Sequence, residues 1–246
     1  MTKLKEITAY LKTYLDPDEM ADYCPTGLQV EGKSEVMKGA FAVSASLKVI
    51  EDAVKRGADF LVVHHGLFWN KDPYPIVGSK RKKLKLLLDH DISLIAYHLP
   101  LDAHPEVGNN FKAAKDMGWQ NLEPFYDIGV RGTFSPMDRK AFQKQLELYY
   151  GREAHTVFGG KETVSSAALI SGGAYRQIAD ASAVGVDAYI TGNVDEPAYH
   201  LAKEEGINFF ALGHDATEKV GPKALMEHLQ QKFPLQTTFL GENNPF

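Results

Sequence analysis

The first hydrophobic pattern in the chain is that of an amphipathic helix. Leu4, Ile7, Leu11 and Leu15 recur at spacings of three and four residues. This spacing puts the four side chains on one face of a helix, with the polar residues between them facing outward. The pattern predicts a helix over residues 3–15.

Short apolar runs rich in Val, Ile and Phe then alternate with segments of helical periodicity. Such alternation is typical of an α/β fold, in which helices cover a sheet of mostly parallel strands. Gly57 and Gly185 follow predicted helices, at a position that favours positive φ. The sequence predicts strands at residues 41–44, 60–63 and 94–97, and helices at residues 47–56 and 80–89.

A weak internal repeat relates two parts of this α/β pattern. The segment GADFLVVHHG aligns with GVDAYITGNV, which places Gly57 on Gly185 and Asp59 on Asp187 at a shift of 128 residues. In each copy an apolar strand runs into a turn of small residues and then a helix. Self-similarity of this kind indicates two related α/β halves.

A second stretch extends the repeat to two of the histidines. HDISLIAYH aligns with EEGINFFALGH, which pairs His98 with His214. The predicted organisation is a first α/β repeat over residues 1–120, a variable middle segment over residues 121–165 and a second α/β repeat over residues 166–246.

Composition limits the class of protein and its location. The chain has 246 residues, of which 44% are hydrophobic, and its 27 basic and 32 acidic residues give a net charge of −5. This charge provides no general attraction to nucleic acid. No apolar run approaches the roughly 20 residues of a membrane helix. Cys24 is the single cysteine, which excludes an intrachain disulfide and a multi-cysteine zinc site. Without an apolar signal core near Met1, the expected location is the cytoplasm.

The nine histidines carry the chemical signal, because imidazole is the commonest metal ligand among side chains. His64 and His65 follow an apolar strand, and ligands of parallel α/β units gather at the carboxyl ends of strands. Neighbouring strand side chains point to opposite faces. Both imidazoles therefore converge only at a turn or at two adjoining metal sites. The alternative is one hydrogen-bonded core histidine and one exposed histidine.

The segment YHLPLDAHPEVGNN adds His98, Asp102 and His104 within seven residues. Pro100 and Pro105 are expected to prevent a helix here and to keep the segment a shaped loop. A carboxylate between two imidazoles on a stiff loop suits a divalent cation, because it combines negative charge with nitrogen ligands.

The alternative role for Asp102 is that of a helix cap. A helix is predicted to begin near Asn109 and Asn110, and Asp and Asn both favour the position before the first turn. Asp102 lies too far before that helix, so the cap is expected at Asn109 or Asn110.

The segment ALGHDATEK provides the third element. Glu218 follows His214 by four residues, a spacing that places both on one face if a helix starts here. Surface pairs share this spacing, but the apolar strand before His214 should carry it into the interior. His64, His65, Asp102, His214 and Glu218 exceed the needs of one tetrahedral ion. They suit two ions about 3.5–4 Å apart, bridged by a carboxylate.

These motifs resemble the Nif-three-like dinuclear metal-centre family. The resemblance rests on GLQVEG, GADFLVVHHGLFW, YHLPLDAHPEVGNN, GVDAYITGNV and GHDATE, which are spread over nearly the whole chain. It implies two intertwined α/β repeats in a layered α/β/α architecture and a homohexameric ring. It also implies two divalent metal ions per chain, bound by His64, His65, Asp102, His214 and Glu218, with the glutamate bridging. Members are often labelled GTP cyclohydrolase 1 type 2 homologues, which implies a purine-type substrate.

Residue 193 departs from the pattern of the family. Where many relatives carry Thr-Gly-Glu after the strand of the second half, this chain has Thr191-Gly192-Asn193. An amide does not accept a proton at neutral pH. Asn193 is therefore not expected to act as a general base.

The leading functional hypothesis is a metal-dependent hydrolase that activates a metal-bridged water. His98 and His104 are expected to orient ligands or to transfer protons. The expected metal is iron, zinc, manganese or nickel, and the expected substrate is a small molecule that contains a purine or a phosphate. The alternative is a non-enzymatic metal chaperone or cofactor-assembly protein, which needs the same ligands.

A basic run offers a weaker hypothesis. From Lys80 to Lys85, five of six residues are cations. The favoured interpretation is the solvated face of an amphipathic helix, with Leu84, Leu87 and Leu88 packing inward. A ring-shaped oligomer would repeat this patch, which could then bind phosphate or nucleic acid.

Overall fold

The computed structural model describes residues 1–16 and 20–246 as a mixed α/β protein, which confirms the predicted fold class. The strands are, in chain order, β1 (Thr2–Lys3), β2 (Gly27–Val30), β3 (Glu35–Val36), β4 (Lys38–Ser44), β5 (Phe60–His65), β6 (Ser93–Ala96), β7 (Gln120–Phe125), β8 (Gly129–Asp138), β9 (His155–Phe158), β10 (Thr163–Ile170), β11 (Ala188–Thr191), β12 (Asn208–Ala211) and β13 (Gln236–Phe239). The helices are α1 (Leu4–Leu15), α2 (Leu47–Lys55), α3 (Gly78–Asp89), α4 (Leu99–Ala103), α5 (Asn109–Asp116), α6 (Arg139–Tyr150), α7 (Ile178–Ala183), α8 (Pro197–Glu204), α9 (His214–Thr217) and α10 (Val220–Lys232).

Helix α1 forms where the hydrophobic period predicts it, one residue later at its start. Its apolar stripe, Leu4, Ile7, Leu11 and Leu15, is buried. Asp16 ends the helix in the left-handed conformation, with φ of 42°. The strands and helices predicted up to residue 97 also agree with β4, β5, β6, α2 and α3 to within a few residues.

The first of two compact units comprises Met1–Leu101 and Gly221–Asn243. Its main sheet has the order β13-β4-β5-β6-β2, in which the first four strands are parallel and β2 pairs antiparallel with β6. Ala42 and Val63 pack in a core with α2, while Phe41 and Phe60 are buried as the alternate residues of the same strands. Both faces of this sheet are therefore covered, as parallel strands require.

The second unit comprises Asp102–Val220 and Asn244–Phe246. Its sheet has the order β7-β8-β10-β11-β12-β9, with β10, β11 and β12 parallel. Along β10, Ala167 and Leu169 pack in a core with α5 and α6, whereas Ala168 belongs to a second core with α7 and α8. Helices thus cover both faces of the sheet, which gives this unit its α/β/α layers.

The two units repeat one strand arrangement. Three parallel strands, β4-β5-β6 or β10-β11-β12, are followed in the sheet by one antiparallel strand, β2 or β9. Gly27 at the start of β2 and His155 at the start of β9 are separated by the same 128 residues as the aligned glycines. The internal repeat predicted from the sequence is therefore present in the fold. The division into segments 1–120, 121–165 and 166–246 stays a prediction.

An ion pair at the start of the second parallel strand occurs in both units. Asp59 accepts hydrogen bonds from the backbone N–H groups of Met37 and Lys38, each at 2.9 Å, and pairs with Lys33 at 3.0 Å. At the equivalent place Asp187 accepts from Ser165 N at 2.9 Å and pairs with Lys161 at 3.4 Å. The repeat thus preserves the carboxylate that joins two neighbouring strands.

Helix α3 carries the basic run, and one leucine differs from the prediction. Leu87 is fully buried and Leu84 packs against the core, but Leu88 is 59% exposed, so its predicted inward packing is wrong. The buried stripe is narrow, and Leu88 lies about 100° around the helix from Leu87. Lys80 pairs with Asp72 at 3.2 Å.

Among the described residues, no helix is long and apolar enough to cross a membrane.

Replacement of either repeated carboxylate should destabilise its unit. Burial raises the pKa of Asp59 and of Asp187, but the hydrogen bonds that they accept outweigh it, so each pKa lies below its usual value. Asp59→Asn and Asp187→Asn should each lower the free energy of unfolding by about 1–3 kcal/mol at pH 7, as for hydrogen bonds to a charged group. Urea denaturation measures this loss.

The pH dependence of that loss has a defined sign. A carboxyl group whose pKa is lowered by folding stabilises the protein above its unfolded pKa of about 3.9, and this contribution disappears as the pH falls through the folded value. The difference between wild type and each variant should therefore shrink below about pH 4. Asp89→Asn is the control, because Asp89 is half-exposed in its pair with Lys85 and should change stability by less than about 0.5 kcal/mol. Equal losses in all three variants would contradict the prediction.

Candidate metal centre

Three imidazole rings converge at the carboxyl end of the sheet in the first unit. His64 and His65 are the last residues of β5, and His98 follows β6, its parallel neighbour. The ring centroid of His64 lies 4.7 Å from that of His65 and 4.9 Å from that of His98. One ring nitrogen of each residue lies within 4.8 Å of the others. The strand end therefore gathers three nitrogen donors, although His64 and His65 lie within the strand and not after it.

The protein holds the first two rings through the same atom, Nδ1. The Nδ1 atom of His64 lies 3.1 Å from the carbonyl oxygen of Tyr97, and that of His65 lies 3.0 Å from the hydroxyl of Ser44. A carbonyl oxygen only accepts hydrogen bonds, so Nδ1 of His64 carries the proton and Nε2 keeps its lone pair. This is the tautomer that binds a metal through Nε2.

A buried carboxylate, Asp22, holds the third ring. Its Oδ1 lies 2.9 Å from Nδ1 of His98, and the carboxylate also accepts from the backbone N–H groups of Leu99 and Cys24, each at 2.9 Å. The side chains of Asp22 and His98 are 5% and 7% exposed. Burial raises the pKa of Asp22, but these hydrogen bonds, led by that of His98, outweigh it and place the pKa below its usual value.

Aromatic side chains pack around the His98 ring. Tyr23 and Trp69 approach it edge-to-face, with centroid distances of 5.0 and 5.3 Å, and Trp69 also lies 5.8 Å from the ring of His65. Such contacts restrict how an imidazole rotates and exclude water beside it. Trp69 thus has the water-excluding, packing role that is the common one for an aromatic residue near a site.

In the second unit, His214 and Glu218 lie on one turn of helix, as their spacing predicts. Helix α9 begins at His214, directly after the loop that follows β12, and Nε2 of His214 lies 3.1 Å from Oε1 of Glu218. The Glu218 side chain is 4% exposed. Nδ1 of His214 lies 3.2 Å from Oδ1 of Asn193. Both ring nitrogens of His214 thus lie within hydrogen-bond distance of a side chain of the same unit.

Asp102 lies in helix α4, and its surroundings correct two predictions. The segment was expected to remain a loop, but Leu99–Ala103 is a short helix, because Pro100 lies in its first turn, where a proline needs no N–H partner. The expected cap at Asn109 or Asn110 is also wrong, since Gly108 precedes the first turn of α5.

Asn109 and Asn110 instead form hydrogen bonds that fix Asp102 and Ser171. Nδ2 of Asn109 donates to Oδ1 of Asp102 at 2.8 Å, and the Ser171 hydroxyl donates to the same oxygen at 2.9 Å. Oδ1 of Asn110 accepts from the backbone N–H of Ser171 at 2.7 Å. Asp102 is 3% exposed, so its carboxylate is fixed in a buried, polar setting.

The turn at Gly172 closes around the His214–Glu218 pair. Gly172 has a positive φ of 69°, and a Cβ atom there would lie 2.3 Å from Oε1 of Glu218. Its N–H donates to Thr217 Oγ1 at 3.0 Å, and that of Ser171 is bonded to Asn110. Because side chains already bind the amides of Ser171 and Gly172, this Ser-Gly-Gly segment is a close-packed turn.

His104 has a local partner set. Its Nδ1 accepts hydrogen bonds from the backbone N–H groups of Glu106 and Val107, each at 3.2 Å. These bonds fix the turn that leads to α5. A role of His104 in ligand orientation or proton transfer stays a prediction.

The donor sets in both units fit a divalent cation. They consist of imidazole nitrogen and carboxylate oxygen, the mixture that suits iron, zinc, manganese or nickel. His64, Asp102 and Glu218 are almost fully buried, where a negative charge needs a positive partner. Sequence reasoning found these donors but missed the residues that hold them: Asp22, Ser44, Asn109 and Ser171.

Comparisons with known proteins agree over the full length of the chain. The family model described as Duf34/NIF3 (NGG1p interacting factor 3) matches residues 2–245. A "GTP cyclohydrolase 1 type 2 homolog" of Chlamydia pneumoniae is 50% identical over 98% of this chain and 98% of its own. The solved structure of protein ybgI, described as of unknown function, is 39% identical with a TM-score of 0.96, and covers 100% of both chains. The solved structure of TTHA1606 from Thermus thermophilus is 35% identical with a TM-score of 0.94, again over 100% of both chains.

The contact between Gly172 and Glu218 predicts an effect that goes beyond backbone strain. Gly172→Ala and Gly185→Ala both place a Cβ at positive φ, 69° and 78°, but nothing lies within 4 Å of the added atom at residue 185. Gly185→Ala should therefore cost about 1–2 kcal/mol of stability and leave metal binding unchanged. Gly172→Ala should cost more and should lower the zinc bound per chain, measured by mass spectrometry after dialysis. Equal stability losses with equal zinc contents would contradict the proposed closeness of this turn to the site.

Proposed function

The chain belongs to the Duf34/NIF3 family, and on that premise we propose that it binds two divalent metal ions through His64, His65, Asp102, His214 and Glu218. The family match confirms the resemblance inferred from the motifs. Each of the five residues offers a nitrogen or oxygen of the kind that binds iron, zinc, manganese or nickel. Four of the five lie at or just after a parallel strand or in the helical turn that follows it.

The observation that carries the proposal is the way in which the imidazoles are held. His64 donates through Nδ1 to a backbone carbonyl, and His214 contacts Asn193 through Nδ1 and Glu218 through Nε2. Fixing Nδ1 by a protein oxygen is the usual support for a histidine that binds metal through Nε2.

We propose further that the bound ions support hydrolysis. Two divalent cations would supply Lewis-acid chemistry, which lowers the pKa of water and polarises a carbonyl, phosphoryl or C=N group. The residues of the chain would hold these ions and keep the site dry, since His64, Asp102 and Glu218 are buried and Trp69 packs beside His65.

The proposed substrate is a small molecule that contains a purine or a phosphate. The name "GTP cyclohydrolase 1 type 2 homolog" of the Chlamydia pneumoniae relative supports a purine. The proposed assembly is the homohexameric ring implied by the family resemblance, and the proposed location is the cytoplasm. The opposing proposal, a metal chaperone or cofactor-assembly protein, uses the same ligands and differs only in lacking turnover.

Removal of a single proposed ligand, in either unit, should reduce both metal binding and hydrolysis. Wild type purified without an affinity metal should contain two ions per chain by elemental analysis. His64→Ala and Glu218→Ala should each lose at least one ion. Their metal-dependent hydrolysis of GTP, phosphoesters and cyclic amidines should fall by more than about 100-fold, because loss of a ligand's supporting partner alone costs about 10–100-fold.

His200→Ala is the matched control, because His200 lies on α8 with 62% of its side chain exposed. It should keep both ions and full activity. Two retained ions in His64→Ala and Glu218→Ala would overturn the ligand assignment. Two ions in wild type with no turnover of any of these substrates would favour the metal-handling role over the hydrolase.

A further inference from the structure

The internal repeat gives His98 a counterpart among the proposed ligands. His98 and His214 are separated by 116 residues, and Asp102 and Glu218 are separated by the same number. Both pairs have the spacing His-x-x-x-carboxylate. Each pair follows the last strand of a matched parallel set, β6 of β4-β5-β6 or β12 of β10-β11-β12, and each lies in or beside the short helix that comes next, α4 or α9. His98 therefore occupies the place in the first unit that His214 occupies in the second.

The ring of His98 is held on several sides. Oδ1 of Asp22 lies 2.9 Å from Nδ1 of His98, and both oxygens of Asp22 also accept backbone N–H groups, so Nδ1 is the donor of this hydrogen bond. Tyr23 and Trp69 contact the ring edge-to-face from 5.0 and 5.3 Å. These contacts leave Nε2 as the nitrogen that is available for a ligand.

The position of that ring matters because of its neighbours. Its centroid lies 4.9 Å from that of His64 and 5.5 Å from that of His65, with one nitrogen of each ring within 4.8 Å of the others. The three rings therefore place three imidazole nitrogens close enough together to be donors to a single ion.

We propose that His98 is an additional nitrogen ligand of the metal centre in the first unit, and that Asp22 is the residue that positions its ring. This inference rests on the proposed function, since it extends the same ligand set. A carboxylate that holds the far nitrogen of a ligating imidazole is a common support for such a ligand, and it also increases the basicity of the ring. Asp22 is thus a positioning residue that acts through His98.

A purely structural role for the Asp22–His98 pair makes a different prediction. In that case the pair would stabilise the segment before β2 and the start of α4, and its loss would reduce stability alone. Metal affinity and the visible absorption of bound cobalt, which reports the number and type of ligands, would then remain as in wild type. These two readouts separate the alternatives.

The test uses the full chain, stripped of metal and titrated with Co²⁺ against a chromophoric chelator. His98→Ala, His98→Gln and Asp22→Asn should each weaken the binding of at least one ion by about 10–100-fold and should change the visible spectrum of the cobalt protein. Asp22→Glu, which keeps the carboxylate, should restore part of the affinity. Thermal denaturation identifies any variant that does not fold. If His98→Ala does not fold, the test rests on His98→Gln and Asp22→Asn, which keep a polar side chain at each position.

Asp59→Asn is the matched control, because Asp59 also accepts two backbone N–H groups in the first unit, at the opposite end of β5 from His64. It should lose stability and keep wild-type cobalt binding. If wild type binds two ions and the His98 variants match it within about twofold in affinity and in spectrum, the inference is wrong while the proposed function stands. If the His98 variants lose affinity and Asp22→Asn does not, the positioning role of Asp22 is wrong. If wild type binds no cobalt, the proposed function fails first.

Discussion

The proposed metal chemistry of this protein depends on which nitrogen of each imidazole carries the proton. A neutral imidazole has two nitrogens, and when one donates to a protein oxygen the other keeps a lone pair. The chain fixes this choice with a backbone carbonyl for His64 and a carboxylate for His98, both of which only accept. The parallel strands β5 and β6 end side by side, so the rings of His64 and His98 become neighbours.

Duplication explains how one scaffold carries two sets of donors. The ion pairs Lys33–Asp59 and Lys161–Asp187 are repeated at the amino end of the sheet, where they join strands. The carboxyl ends have diverged, since His65 is matched by Asn193 at the shift of 128 residues. Asn193 contacts the ring of His214 through Oδ1, at the position where the first unit has the imidazole of His65. The repeat thus preserved the fold while the strand ends changed their chemistry.

Much of the fold follows from local sequence signals. The apolar stripe of α1 and the repeated strand pattern were predicted because each depends on residues close in the chain. The sequence does not predict helix α4, because a proline argues against a helix everywhere except in the first turn, which is where Pro100 lies. Leu88 was misplaced because its spacing does not reveal how wide the buried stripe is.

The donors of the candidate site were also visible in the sequence, whereas their supports were not. His64 and Glu218 lie in motifs at strand ends, which periodicity identifies. Asp22 lies 76 residues before His98, in a segment without periodicity, and no local pattern connects the two. Ser171 and Asp102 are 69 residues apart and meet only through the tertiary fold.

Anomalous diffraction from crystals of the zinc-loaded chain tests the central claim most directly, because it locates each ion relative to the ring nitrogens. The account predicts two zinc peaks per chain, with Nε2 of His64 and of His214 each about 2.0–2.1 Å from an ion and Nδ1 of each ring still bonded to its protein oxygen. Zinc bound through Nδ1 of these rings, or only at residues remote from them, would contradict it.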